Sequence, residues 1–267
     1  MVITSKDNEQ IKHIRKLKEK KYRDEYKEYV IEGIKLIKEA IAEDANIKTI
    51  VACDNCVKSE EIDPKIMYEI AKYNCLYVEE KVFHSITDVQ NPQGLLAIMS
   101  KENEQEKIDY GEDIIVALDD IQDPGNLGTI IRTVDSIGLK QLIVSKKSGD
   151  VYNPKVVRSS MGAILRVKVI ESDNLVETLK QMKKHKFEIV ATSLGTNNSI
   201  YDIDYKKKII VIGNEANGVS KEVLDMADKK VKIPMLGKTE SLNAAVATGV
   251  IAYEYVRQKI SNEKCFY

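Results

Sequence analysis

The sequence predicts an α/β fold in two parts: a small α/β domain, then a larger domain built on a parallel sheet. Three observations lead there. The second half carries apolar strand runs such as IIVAL (114–118), EIVAT (188–192) and IIVIG (209–213), with helical patterns between most of them. These runs are continuous rather than alternating, which fits strands covered on both faces and therefore a parallel, doubly wound sheet. The first half alternates shorter strands with amphipathic helices. Between the halves, residues 101–113 (KENEQEKIDYGED) are polar, without apolar periodicity, and read as a linker. The expected domains are 1–105 and 112–267, and 267 residues suffice for one large domain or two of ordinary size.

The first half opens with a charged helix over 6–28 and a strand at Tyr29–Ile31. In the helix at 33–43, Ile34, Ile37, Ala40 and Ile41 share one face. A strand at 49–53, a helix around 66–71, a strand at 76–78, a helix near 82–86 and a strand at 94–99 complete it. No catalytic constellation stands out there, and the lone His84 reads as a surface or packing residue. In the second half the strands are 114–118, 142–144, 167–170, 188–192, 209–213 and 230–234. The helices are 127–136, 154–161, 175–185, 221–227 and a long last one at 242–259. No internal repeat is visible.

Composition narrows the class. Apolar residues make up 43% and charged residues 31%, as in ordinary globular proteins. No apolar stretch is long enough to span a membrane, and the first residues lack the pattern of a secretory signal, so the expected location is the cytoplasm. Cys53, Cys56, Cys75 and Cys265 include one CxxC without a second ligand pair. They are expected to be reduced thiols, and no metal site is expected. The net charge of −1 gives no global attraction for a polyanion. Residues 1–23, however, hold eight Lys or Arg (Lys6, Lys12, Arg15, Lys16, Lys18, Lys20, Lys21, Arg23) against three acids. That strip is either a solvated helix face or a phosphate-attracting surface. Lys155, Arg158 and Arg166 form a second basic feature.

The chemistry is concentrated in three strand-to-loop segments of the second half: LDDIQDPGNLGTIIRT with Asn126, Gly128 and Arg132; IIVIGNEANGVS with Gly213, Asn214 and Glu215; and KIPMLGKTESLNAAVATG with Ser241, Leu242 and Asn243. Three polar loops, each after an apolar strand, suggest one composite site at the carboxyl edge of the sheet. Asp119, Asp120 and Asp123 are followed by Pro124-Gly125, so they read as an acidic loop accepting backbone N–H bonds rather than a helical metal box. Asn126 is expected to cap the next helix and Ser241 the last one, with Asn243 inside its first turn. Arg132 lies in an otherwise apolar helix and needs a carboxylate or phosphate partner. No GxGxxG opens a βαβ unit, which disfavours an ordinary dinucleotide-binding domain.

These segments resemble the three motifs of the SpoU-type (TrmH-like) RNA ribose 2′-O-methyltransferases of the SPOUT superfamily: NLGTIIRT, IGNEANGVS and IPMLGKTESLNAAVA, in that order. YVIEGIKLIKEA and NPQGLLAIM in the first half resemble the opening and closing segments of the family's α/β substrate-binding domain. The alanine run departs from the usual pattern only in Ala245, where serine is frequent. The resemblance implies a SPOUT catalytic domain with a C-terminal trefoil knot, a homodimer formed through that domain, and S-adenosylmethionine as cofactor. It implies a cofactor pocket near Gly213, Asn214, Glu215, Ile233, Met235, Ser241 and Leu242. It also implies a catalytic polar set of Asn126, Arg132, Glu215, Ser241 and Asn243. The implied reaction is displacement at a sulfonium methyl by a ribose 2′-hydroxyl, with orientation supplied by the protein. A guanidinium keeps its proton at neutral pH, which makes Arg132 a better phosphate clamp than base.

The expected substrate is RNA, ribosomal by analogy with relatives that carry the extra N-terminal domain. The alternatives are tRNA as substrate, a catalytically silent RNA-binding paralogue, or an α/β enzyme acting on a small nucleotide, which would leave the basic helix without a role.

Overall fold

A computed structural model describes residues 2–55, 64–101 and 107–264. Cys56, Cys265 and residues 102–106 of the expected linker lie outside the described residues. The chain divides into two compact units, Met1–Gln105 with Tyr152–Leu165, and Glu106–Val151 with Arg166–Tyr267. The second domain was expected to run unbroken from 112, whereas Tyr152–Leu165 packs with the first unit. The reason is tertiary: Val156 and Val157 are buried on a helix that lies against the first unit's strand 28–32.

The first unit contains β1 (Val2–Ile3), α1 (Glu9–Lys16), α2 (Lys20–Tyr26), β2 (Glu28–Glu32), α3 (Ile34–Ala42), β3 (Ile47–Cys53), α4 (Pro64–Ile70), β4 (Cys75–Val78), α5 (Glu80–Ile86) and β5 (Leu95–Ser100). Its mixed sheet has the order β1-β4-β3-β5-β2, with β2 and β3 antiparallel to β5. Ile11, Ile14 and Leu17 from the first helical segment and Val82, Phe83 and Ile86 from α5 pack on the face that presents Val51, Val78 and Leu96.

The single helix expected over 6–28 is broken at Leu17–Glu19. Arg23, only 2% exposed, donates from Nη1 to the carbonyls of Leu17 and Lys18 at 2.7 Å each. A guanidinium thereby satisfies carbonyls that a continuous helix would have bonded internally. Lys27 at φ 54 then turns the chain from α2 into β2.

The second unit contains β6 (Ile114–Asp119), α6 (Pro124–Ser136) and β7 (Gln141–Ser145). The segment α7 (Pro154–Ser159) is the part that packs with the first unit. Then follow β8 (Lys168–Ser172), α8 (Leu175–Lys184), β9 (Glu188–Thr192), β10 (Lys208–Gly213), α9 (Lys221–Met226), β11 (Lys229–Val231) and α10 (Ala244–Lys264). The six strands are all parallel, in the order β11-β9-β10-β6-β7-β8. Every residue of β6, β7 and β10 is buried, as continuous apolar runs require. Ile115, Ile143, Ile189, Ile209 and Val211 join Leu179, Met182 and Val223 from the flanking helices in one core. Burial of each such side chain stabilises by about 1.5–3 kcal/mol before chain entropy is counted.

Lys208, the one cation in β10, is tied by ion pairs to Glu188 at 2.7 Å and Asp204 at 3.1 Å. Among the described residues no helix is long and apolar enough to cross a membrane.

Candidate functional site

The strand order fixes where a site can form. β6 pairs with β10 so that Asp119 stands beside Gly213. β6 leads outward through β7 to β8, while β10 has β9 and β11 on its other side. The loops after β6 and β10 therefore leave adjacent strand ends at a reversal of strand order, where open α/β sheets bind ligands.

Both loops are held from within. Asp119 accepts from the backbone N–H of Ser220 at 2.8 Å, and Asp123 from that of Asn126 at 2.8 Å. The acidic run thus serves as backbone acceptors. Asp123 is the residue that caps α6; Asn126, expected in that role, lies one turn inside the helix. Proline at N1 draws the helix start forward to 124.

The second loop is a tight reversal. Asn214 and Gly218 exchange backbone hydrogen bonds at 3.0 and 2.9 Å. The Asn214 side chain accepts from the N–H groups of Ala216 and Asn217 and donates to the Asp120 carbonyl at 2.7 Å. Gly218 has φ +69, and a Cβ on Gly213 would fall 2.1 Å from the Gly218 carbonyl carbon and the Val219 nitrogen. Glycine at 213 is a requirement of close backbone approach.

The third segment ends at α10. Its cap is Asn243, whose Oδ1 accepts from Ala245 N at 2.9 Å and Val246 N at 3.3 Å. Ser241, expected as the cap, lies two residues earlier in an exposed loop.

Three side chains, one from each segment, form a continuous hydrogen-bonded chain. Asn243 Nδ2 donates to Asn126 Oδ1 at 2.8 Å, and Asn126 Nδ2 donates to Glu215 Oε1 at 2.9 Å. The backbone N–H groups of Gln122 and Asp123 also donate to the Glu215 carboxylate, at 3.3 Å each. Partial burial pushes the Glu215 carboxyl up, but the Asn126 amide and the backbone donors prevail and hold it below the ordinary glutamate value. It is an anion at neutral pH.

Beside this chain lies a cavity of about 340 Å³ at the carboxyl ends of β9, β10 and β11. Gly213, Asn214, Glu215, Ile233, Met235, Ser241 and Leu242 all line it. So do Thr192, Ser193 and Leu194, which the sequence reading missed because the loop after β9 carries no charged residue or recognisable pattern. Val219, Val231, Ala244 and Ala247 add apolar wall, and Lys232 and Glu240 add charge.

Arg132 lies apart from this chain. It is exposed on α6, does not line the cavity, and makes no hydrogen bond or ion pair among the described residues. The partner expected of it is not supplied among the described residues. Arg166, grouped with the basic features, is instead fixed to Asp135 through Nε at 3.1 Å and Nη2 at 2.9 Å. Among the described residues no group of three or more His, Cys, Asp or Glu is placed to hold a metal ion.

Comparison with known proteins gives this geometry a family. Residues 8–97 match the MRM3-like substrate binding domain. The 23S rRNA (guanosine(2553)-2′-O)-methyltransferase RlmP of Bacillus subtilis is 29% identical over 94% of this chain and 97% of its own. The AdoMet-bound rRNA methyltransferase from Sinorhizobium meliloti is 32% identical, with a TM-score of 0.86 over 97% of this chain and 98% of its own. The TrmH/SpoU tRNA modifying enzyme of A. aeolicus is 36% identical, with a TM-score of 0.51, over 57% of this chain and 77% of its own. Residues 113–253, the stretch that contributes all three loops of the site, match the SpoU rRNA Methylase family, and the chain belongs to that family.

Proposed function

We propose that the chain transfers a methyl group from S-adenosylmethionine to a ribose 2′-hydroxyl of RNA, and that its substrate is ribosomal RNA in the cytoplasm. The observation that carries this reading is the Asn243–Asn126–Glu215 chain beside the 340 Å³ cavity. The cavity is of a size that holds a small ligand. Its apolar wall suits an adenosine, and the Glu215 carboxylate suits a cationic sulfonium. Gly213, Asn214, Glu215, Ile233, Met235, Ser241 and Leu242 are the residues assigned to hold the cofactor. When bound, S-adenosylmethionine supplies an activated methyl group open to in-line displacement.

The chain's own residues supply orientation. Asn126 is locked from both sides, by the Asn243 amide and by Glu215, so its place next to the cavity-lining Glu215 is fixed. Ser241 presents a hydroxyl to the same cavity. Arg132, exposed and without an ion pair or hydrogen bond among the described residues, offers a planar fork to an RNA phosphate. Its basicity suits a clamp on charge rather than a proton acceptor.

The two units divide the work: the first, 1–105 with 152–165, binds the RNA substrate, and the second, 106–151 with 166–267, carries the methyltransferase chemistry. The trefoil knot belongs to the same reading. β11 lies outside β9, yet the α10 that follows packs back on α6 and β10. The homodimer does too. Val246, Tyr253 and Ile260 are exposed at seven-residue intervals along α10, a stripe on one helical face suited to a second copy. Ribosomal RNA is favoured over tRNA because similarity to the relative named for 23S rRNA extends over 94% of the chain, N-terminal unit included. The tRNA-modifying structure corresponds to 57%.

The test is a map of ribose methylation in ribosomal RNA from cells with and without this chain. One position is expected to lose its 2′-O-methyl group. An unchanged map rules out the proposed substrate.

A further inference from the structure

The basic N-terminal strip is less uniform than its composition. Lys12 is paired with Glu9, Lys18 with Asp88 and Lys20 with Asp24. Arg23 is buried against backbone carbonyls. Lys16 and Lys21 are exposed and make no ion pair among the described residues, and each ammonium lies 5.4 Å from the ring centre of the same residue, Tyr22. Tyr22 is the outer member of a ring ladder. It lies nearly parallel to Tyr26, with centroids 6.0 Å apart and 13° between planes. Tyr26 meets His13 at 4.6 Å. The inner end is fixed, because Tyr26 packs against the core beneath α1 and α5. The outer end is half-buried and flanked by two cations that make no ion pair among the described residues.

We propose that this ladder is a platform for unpaired RNA bases, resting on the reading that RNA is the substrate. Its outermost ring, Tyr22, stacks a base while Lys16 and Lys21 take the adjoining phosphates. A duplex keeps its bases stacked on one another and cannot offer a free face to a tyrosine, so the platform selects single-stranded segments. The exchange on binding is balanced. Each ammonium leaves a ring face for a phosphate oxygen, and the ring gains a base in its place. Exposed cation–π contacts of lysine are weak, and stacking of a base on an aromatic ring is the stronger interaction.

The test is binding of the full chain to a short fluorescent oligoribonucleotide, single-stranded or annealed to its complement. Tyr22→Ala is expected to weaken single-strand binding roughly tenfold and duplex binding much less, and Tyr22→Phe, which keeps the ring, is expected to restore it. Replacing Lys16 and Lys21 together with Ala is expected to weaken both and lower the salt slope by about 0.7 for each phosphate no longer neutralised. Equal affinity of Tyr22→Ala and wild type for the single strand overturns the platform, as does an equal loss on both probes. Methyl transfer by the wild type, measured in parallel, separates the two readings. Unchanged RNA affinity in Tyr22→Ala beside normal transfer overturns the platform alone. A tenfold loss of single-strand binding with no wild-type transfer upholds the platform and overturns the catalytic reading.

Discussion

Asn126→Asp changes a single atom type at the centre of the site. In the native chain Asn126 Nδ2 donates to Glu215 at 2.9 Å and Oδ1 accepts from Asn243 at 2.8 Å. The substitution keeps the acceptor and turns the donor into a second carboxylate oxygen facing Glu215. Loss of a hydrogen bond to a charged group costs about 1.5 kcal/mol at the low end, the end that suits an exposed glutamate. Repulsion between two carboxylates about 4 Å apart adds about 1 kcal/mol in a water-like dielectric. The sum is about 2–3 kcal/mol, or a fall of about 5–10 °C in the unfolding temperature of the catalytic unit.

The pH dependence gives the sign. Native Glu215 titrates below its unfolded value of 4.5, so its contribution is full above that value and is lost as pH falls through the folded one. In the variant the two carboxylates raise one another, so the penalty is full at high pH and relaxes as one takes up a proton. Calorimetry at about pH 8 and pH 5 should show a gap between variant and wild type that narrows on acidification. A variant as stable as wild type at pH 8, or a gap that widens in acid, refutes the reasoning.

Three further perturbations follow from the same geometry. Arg132→Lys keeps charge but removes the fork; kcat/KM for RNA should fall about 30-fold, equivalent to about 2 kcal/mol. Because Arg132 is exposed and makes no ion pair or hydrogen bond among the described residues, the variant's unfolding temperature should not move, and near-normal turnover would dispose of the clamp. Gly213→Ala places a methyl 2.1 Å from the Gly218 and Val219 backbone, so the reversal must open. Calorimetric titration with S-adenosylmethionine should show binding lost or weakened at least about tenfold, a loss of about 1.4 kcal/mol or more; native affinity would mean that the loop does not shape the pocket. Tyr253→Asp with Val246→Asp puts charge into the α10 stripe; on the proposed interface, light scattering should report a dimer for the wild type and a monomer for the variant. A variant that remains dimeric moves the interface elsewhere.

Much of this architecture is written locally. β6 is apolar over Ile114–Leu118 and β10 over Ile209–Ile212, so their burial on both faces could be read directly from the residues. The loops that follow them carry the polar types that a ligand site needs. What could not be read is where a tertiary partner decides. Nothing near positions 17–19 announces a helix break, because the group that satisfies the freed carbonyls is Arg23, further along the chain. Pro154–Ser159 has an ordinary helix pattern, and only packing assigns it to the first unit.

Caps were misplaced for a related reason. Around Asp123–Asn126 and Ser241–Asn243 several residues are able to cap; at the second, Asn243 caps α10 through Oδ1 while its Nδ2 donates to Asn126, and at the first the choice depends on which side chain is engaged elsewhere. Asn126 is bound to Glu215 and Asn243, which leaves Asp123 to cap α6. The hydrogen-bonded chain that links Asn126 to Glu215, 89 residues on, and to Asn243, 117 residues on, is a product of strand order, to which local pattern is blind. Thr192–Leu194 lines the cavity solely because β9 lies beside β10.

The most direct measurement is the fate of a labelled methyl group. Wild-type chain and Asn126→Ala are incubated with methyl-labelled S-adenosylmethionine and ribosomal RNA from cells lacking the chain, and the RNA is digested to nucleosides. Label should co-elute with a single 2′-O-methylated nucleoside and vanish with Asn126→Ala. Label on a base, or transfer that survives the substitution, contradicts a ribose methyltransferase whose chemistry is organised around Asn126.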